Sequence, residues 1–383
     1  MTDPRISAAA PILREFVPRH RLALAMLPYF APVKERVAEA LRDFFAGKRA
    51  ALSAINPLGP DAGDRLLEFA LEGKMIRACL VPLGFALGST GSSIENAPPA
   101  AILAGAAMEL FQSGLLVHDD IMDRDHTRRG RATIFQQYAE AASRQNSADP
   151  GHVGEALGIC AGDVAFFLAF EILARLDAPG GVRVSLLGLC ARELTAVGIA
   201  QMQDVAWGAT SADVGDDEIV RMYRYKTGRY SFSLPLMAGA TIAGAGPETL
   251  GQLESAGEAI GELFQIRDDE LGLFGDEREL GKPVGSDVRE GKKTLLYARL
   301  MARARGKDRA RLARIFGNRG ATRRDLEFVR ERALSLGVKE SIDATGRELR
   351  GKALALIDAM RTGSAGDRDA LRALLDFTME RRQ

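Results

Sequence analysis

Four aspartates fall within seven residues in Asp119-Asp120-Ile121-Met122-Asp123-Arg124-Asp125. They follow a long apolar stretch in which Leu103, Ala106, Ala107, Leu110, Phe111, Gly114 and Val117 recur at helical spacing, so they close a buried helix. Asp119 and Asp123 share one face of that helix, and Asp120 lies about 100° round from Asp119. A helix C-terminus already carries partial negative charge, so carboxylates packed there repel each other and oppose the dipole. Divalent cations between them remove the conflict. Oxygen-only ligands suit Mg2+, which keeps several waters and bridges to substrate phosphates. A second cluster ends Phe264-Gln265-Ile266-Arg267-Asp268-Asp269-Glu270-Leu271-Gly272, with Gly272 as the stop. Either run alone is equally a solvated helix end. As a pair, with the cations that follow, they point to one metal cluster gripped from both sides.

Immediately after the first cluster comes Thr127-Arg128-Arg129-Gly130-Arg131. Guanidiniums beside a metal-bound anion suit a diphosphate, because each offers forked donors to phosphate oxygens, although a basic surface turn has the same composition. Gly73-Lys74-Met75-Ile76-Arg77 puts Lys74 and Arg77 three apart, on one helical face. Lys226-Thr227 and Lys282 add cations beside polar groups. His118 and His126 flank the first cluster without zinc spacing and are read as non-catalytic.

Helices must position these groups. No proline occurs from Ala100 to Asp149, from Gly180 to Leu234 or after Pro283, and no sustained alternating β-branched run occurs, so the chain reads as all-α. The expected helices are about Val33 to Leu52, Asp61 to Leu87 interrupted or bent at Pro82, the Asp119-bearing helix, Glu155 to Leu176, Val182 to Gly208, Asp216 to Ala245, Pro247 to Leu271, and a helical last quarter. Glu140 to Gly154 reads as a surface loop, and Asp276 to Glu290 as the most loop-like charged segment. Tyr230 to Pro247 is free of charge, but Pro235 and its glycines mark a close-packed internal helix rather than a membrane span.

The 383 residues balance 51 basic against 51 acidic side chains. That balance argues against nucleic acid or an anionic membrane as the main partner, and makes any basic site local. With no linker in view, one large helical domain is expected over residues 1–383, with residues 1–30 unassigned. Cys79, Cys160 and Cys190 are scattered among apolar residues and read as core thiols in a reducing compartment. Arg5, Arg14 and Glu15 interrupt any secretory signal, so a cytoplasmic location is expected.

In this order the groups resemble the trans-isoprenyl diphosphate synthase (polyprenyl synthetase) family, most of all its geranylgeranyl diphosphate synthases. The motifs are GKxxR at Gly73 to Arg77, then Gln112, DDxxD at Asp119 to Asp123, RRG at Arg128 to Gly130, and QxxD at Gln201 to Asp204. KT at Lys226-Thr227, FQxxDD at Phe264 to Asp269, and GKPxGxD from Gly281 through EGK at Lys292 complete the series.

The resemblance implies a single-domain helical bundle around a deep central cavity, usually homodimeric. It implies condensation of isopentenyl diphosphate with an allylic diphosphate, head to tail, with release of diphosphate. About three Mg2+ ions are implied, with Mn2+ as a substitute. Asp119 and Asp123, with Asp120 in support, would hold metal from one wall, and Asp268, beside Asp269, from the other. Arg128, Lys226 and Lys282 would bind the allylic diphosphate. Lys74, Arg77, Gln112 and Arg129 would hold isopentenyl diphosphate, and Thr227 and Gln265 would face the allylic carbocation near Lys226.

Three positions depart from the family pattern. Its second motif often ends in a third aspartate, where this chain has Gly272, and Ala200 and Ala78 stand where Gly and Pro are common. The family floors its cavity with the residues five and four places before the first aspartate, here Gly114 and Leu115. Those leave the floor open, and Phe111, one step of about 4.5 Å deeper, would stop the product near C20. On that ruler Gly114→Phe shortens the product and Phe111→Ala lengthens it. The alternatives are a longer-chain polyprenyl synthase, a terpene cyclase with a related metal site, and a catalytically silent partner subunit.

Overall fold

The apolar run before Asp119 forms one long helix, Pro99–Asp123, entered through Pro99 in its first turn, where a missing N–H costs nothing. Around it, the computed structural model describes residues 29–210, 214–275 and 284–380. Lys282, with the rest of Gly281-Lys282-Pro283, lies outside the described residues. The order is α1 (Ala31–Ser53), α2 (Leu58–Leu71), α3 (Ile76–Gly88), α4 (Pro99–Asp123), α5 (Ile134–Arg144), α6 (Pro150–Ala174) and α7 (Gly180–Gly208). Then come α8 (Asp216–Tyr223), a π-helical segment (Arg224–Ser233), α9 (Leu234–Ile242) and α10 (Pro247–Phe274). The short α11 (Ser286–Glu290) leads to α12 (Leu295–Arg303), α13 (Gly306–Ile315), α14 (Arg323–Ser335), α15 (Val338–Asp358) and α16 (Ala365–Glu380).

α4 packs on α6 and α3, while α10 packs on the π-helical segment and α15. Phe111, Leu110 and Val117 of α4 are buried in the larger apolar cluster. A second cluster gathers Tyr223, Leu273, Leu295, Leu326 and Val329 below the end of α10. Among the described residues, the one sheet is a hairpin of two-residue strands, β1 (Thr127–Arg128) and β2 (Arg131–Ala132). Its turn residues, Arg129 and Gly130, have φ of 55° and 78°, as a type I′ turn requires.

Several expectations need correction. The stretch Asp61 to Leu87 is not interrupted at Pro82, which sits inside α3. It breaks at Glu72–Met75, because Met75 takes a left-handed φ of 55°. Lys74 therefore lies in the break, and it shares no helical face with Arg77. Glu140 to Gly154 is mostly helical: Ile134, Phe135, Tyr138 and Ala142 bury one face of α5, and Pro150 begins α6 instead of marking a loop. Asp149 caps that start by accepting the His152 N–H at 3.1 Å. Within Asp276 to Glu290, residues 286–290 form α11. Cys79 and Cys190 are buried as expected, but Cys160 is exposed.

Two helices, α4 and α6, are long and apolar enough to cross a membrane, and 78% and 44% of their most apolar windows are buried inside the fold. The glycines of Tyr230 to Pro247 serve close packing. A Cβ on Gly239 would collide with the Val81 carbonyl and lie 2.5 Å from the Phe85 nitrogen, and one on Gly84 would collide with the Leu236 carbonyl. α3 and α9 thus meet backbone to backbone. We expect Gly239→Val to destabilise the fold by about 1–3 kcal/mol or more, read as a lower denaturant midpoint at unchanged slope.

Candidate active site

The first acidic cluster is built by the way α4 stops. Arg124 takes a left-handed φ of 59°, and the Asp125 N–H donates back to the Asp120 carbonyl at 2.8 Å. The reversal sends the chain into the β1–β2 hairpin, which returns Arg128 to the aspartates. Arg128 Nε donates to Asp120 Oδ1 at 2.6 Å, and its guanidinium lies 3.6 Å from Asp119. Arg131 ties the hairpin to α2 through Glu68, at 2.5 Å, and Glu72. Asp120 is fully buried, its Oδ2 has no hydrogen-bond partner, and burial pushes its carboxyl up to about 7 despite Arg128. Gln201 Nε2 donates to Asp119 Oδ1 at 3.1 Å.

The second cluster is built from α8, the π-helical segment and α10. Thr227 Oγ1 donates to Gln265 Oε1 at 2.6 Å, and Gln265 Nε2 donates to Asp269 Oδ1 at 2.7 Å. The Tyr223 hydroxyl donates to Asp269 Oδ2 and accepts the Leu295 N–H at 3.0 Å. Burial, with Asp287 and Asp268 nearby, raises the Asp269 carboxyl well above the carboxylate range. Lys226, one residue before Thr227, pairs with the buried Asp204. Arg229 anchors this segment to α7 and α10 through Glu193 at 2.8 Å, Glu254 at 2.5 Å and Glu258 at 2.6 Å. A π-helical turn inside an α-helical path is a frequent mark of a functional site, and here it carries Lys226 and Thr227.

Lys292 joins the two clusters. Its ammonium lies 2.9 Å from Asp123 on the first and 2.9 Å from Glu290, and Asp287 beside the second cluster adds to the field that raises its pKa. Between α4, α6, α7 and the π-helical segment opens a cavity of about 900 Å³, a size typical of ligand sites. Asp119, Lys226 and Thr227 stand with Arg77 and Gln112 in a wall otherwise mostly apolar.

The remaining cations converge from α3 and the hairpin. Arg77 donates to Ser231 Oγ at 2.6 Å and lies over the Tyr230 ring, while its buried Nε has no partner. Arg129 donates to the Phe69 carbonyl at 3.0 Å and lies over the Phe69 ring. Lys34 reaches the Gly73 carbonyl at 3.1 Å beside Lys74. Beneath them lies a residue the motifs had not singled out. Glu109, buried, accepts the Ala78 N–H at 3.2 Å, and a Cβ on Gly73 would be 3.3 Å from its Oε2 and 3.6 Å from Arg129 Nη2. Burial raises its carboxyl against the pull of Arg77 and Arg129. Its signal in the sequence was being the single charged side chain between Ala100 and Val117.

The expected floor is revised. Leu115 lines the cavity, but Phe111 and Gly114 do not; Phe166 and Phe170 of α6 do. Phe111 is fully buried behind Phe170, with ring centres 4.9 Å apart. A Cβ on Gly114 would lie 2.8 Å from the Gly162 carbonyl and 2.9 Å from Phe166, so Gly114 is where α4 and α6 touch, and no open floor lies there. His118 hydrogen-bonds the Ile159 carbonyl at 3.1 Å and packs on Phe166, which makes it a packing group in the wall.

The acidic groups suit Mg2+. Among the described residues no three His, Cys, Asp or Glu side chains converge as a ready cage. Carboxylates in ones and twos beside cations are the donor set of an ion that keeps its waters and shares ligands with phosphate.

Residues 64–333 match the Polyprenyl synthetase family. The chain is 33% identical to a short chain isoprenyl diphosphate synthase of Methanothermobacter thermautotrophicus over 81% of its length and 86% of the relative's. It is 31% identical to a geranylgeranyl diphosphate synthase of Saccharolobus solfataricus over 82% and 88% of the two chains. The crystal structure of a geranylgeranyl pyrophosphate synthase from Corynebacterium glutamicum, complexed with isoprenyl diphosphate and magnesium, superposes with a TM-score of 0.85 at 29% identity, covering 91% of this chain and 99% of that one. Acidic helix ends, flanking cations and apolar cavity therefore stand in a chain that belongs to the polyprenyl synthetase family, the trans-prenyltransferases.

Proposed function

We propose that this protein adds isopentenyl diphosphate to an allylic diphosphate, with geranylgeranyl diphosphate as the main product. One observation carries the reading: Arg77 of α3 and Lys226 of the π-helical segment, on different elements, line a single mostly apolar cavity together with Asp119. Chain elongation needs that layout, because two polyanions must lie side by side, each with its own countercharge.

Asp119 and Asp123 on one side and Asp268 on the other would hold Mg2+, which supplies charge to the leaving diphosphate as it departs. Arg128 and Lys226 would orient the allylic diphosphate, with Lys282 as a further expected contact. Lys74, Arg77, Gln112 and Arg129 would hold isopentenyl diphosphate so that its double bond meets the allylic carbon. Thr227 and Gln265, hydrogen-bonded to each other at 2.6 Å, would face the cation formed there. The apolar wall keeps out water that would quench it. The last proton leaves to the departing diphosphate, so the chain needs no base of its own.

Two copies of the chain are the expected assembly. Phe167 on α6, with Val184, Ile199 and Met202 on α7, are 62–72% exposed, an apolar face that a second copy would cover. A cytoplasmic location fits the same reading.

Incubating the purified chain with Mg2+, isopentenyl diphosphate and each allylic primer should give a linear C20 product. A cyclic hydrocarbon would favour a cyclase, and absence of turnover a silent partner subunit. Arg77→Met should raise KM for isopentenyl diphosphate roughly thirtyfold, from loss of a charge-assisted hydrogen bond worth about 2 kcal/mol, and leave KM for the primer within about twofold. Phe170→Ala should carry products beyond C20, whereas Gly114→Phe should lower thermal stability instead of shortening the product; chain-length chromatography and melting curves read the two outcomes.

A further inference from the structure

The first turn of α3 brings Arg77 to the cavity wall, yet α3 has no cap of its own. Met75, at the N-cap, takes a left-handed φ of 55° and offers no side-chain acceptor. The Cys79 N–H donates to the Met75 carbonyl at 3.0 Å, so the N–H groups of Ile76, Arg77 and Ala78 find no carbonyl along their own helix. Ala78 is fully buried, away from water. Its N–H donates instead to Glu109 Oε1 on α4, at 3.2 Å. Glu109 is buried as well, and α4 is pressed against this turn: a Cβ on Gly105, four residues before Glu109 on the same face, would lie 2.7 Å from the Ala78 carbonyl. A proline at 78, common in the family, has no N–H to satisfy, whereas the alanine of this chain does.

We infer that Glu109 is a positioning residue for the isopentenyl diphosphate site, capping α3 from a distant helix and so holding the turn at Met75 that aims Arg77. A left-handed methionine persists only where its surroundings impose it. Glu109 grips both sides of that turn: Oε1 takes the Ala78 N–H, and Oε2 faces Gly73, whose added Cβ would lie 3.3 Å away. Arg77 directly precedes Ala78, so the cap sets where its guanidinium meets Ser231 Oγ, at 2.6 Å, and the Tyr230 ring. Glu109 acts through Arg77 and the turn, and what it must supply is an acceptor, since the group it serves is a backbone N–H.

This role rests on the isopentenyl diphosphate reading of Arg77 above, and steady-state kinetics of the full chain, with each substrate varied in turn, separate the two. Glu109→Leu leaves the Ala78 N–H buried without a partner, and should raise KM for isopentenyl diphosphate about tenfold while KM for the primer stays within about twofold. Glu109→Gln keeps an acceptor at the same reach and should hold KM for isopentenyl diphosphate within about threefold of the unaltered chain. Adding Ala78→Pro to Glu109→Leu removes the orphaned donor and should recover most of the loss. Circular dichroism confirms that each variant is folded, and Glu109→Ala replaces Glu109→Leu if the latter is not. Unchanged KM in a folded Glu109→Leu chain, an equal rise for both substrates, a Glu109→Gln chain as impaired as Glu109→Leu, or no recovery in a folded double variant overturns the inference while leaving the function intact. No elongation by the unaltered chain overturns both.

Discussion

Like charge held at short range is the constraint on which this structure turns. α4 and α10 each carry paired aspartates near their C-terminal ends, and Lys292, paired with Asp123, lies in the field of Asp287 beside the second pair. Helix dipoles sharpen the repulsion, and burial of Asp120 and Asp269 removes the water that would screen it. The protein answers with cations brought from elsewhere. Arg128 returns on a hairpin, Lys292 arrives from the segment after α10, and Lys226 stands nearby, paired with Asp204. These pairs offset part of the charge that the two clusters bring together.

Holding cations in such places strains the backbone. Three of the four non-glycine residues with positive φ among the described residues are Met75, Arg124 and Arg129. Each such residue costs on the order of 1–3 kcal/mol, and the rest of the fold must impose it. Met75 turns the chain so that Lys74 and Arg77 leave their helix line. Arg124 ends α4 abruptly, and Arg129 closes the hairpin beside Arg128. Strain thus sits where the charge must be aimed, and tight packing such as the α3–α9 contact at Gly84 and Gly239 holds it in place.

The apolar half of the site follows a different rule. α4 and α6 approach through Gly114 and Gly162, which leaves Phe166 and Phe170 to face the cavity and Phe111 to support them from behind. Counting along α4 alone misses Phe166 and Phe170, which line the cavity from the neighbouring helix beside Leu115. The apolar lining is therefore shared by a helix pair, while the charged groups sit at helix ends.

The sequence alone determined the helices and the chemistry. Spacing placed Asp119 and Asp123 on one face, paired acidic ends implied cations, and missing prolines and missing alternation excluded a sheet core; all these signals are local, repeating within a few residues. It also determined the family, through motifs whose order is a property of the chain itself. Only the tertiary structure decided that Met75 breaks the helix before Arg77, that Glu109 lies beneath the guanidiniums, and that Phe170, with Phe111 behind it, lines the cavity. Each depends on which surfaces meet across long stretches of chain, and on volumes that exclude one side chain because another already holds the place. No periodicity encodes such an exclusion, so it became legible only once the helices were packed.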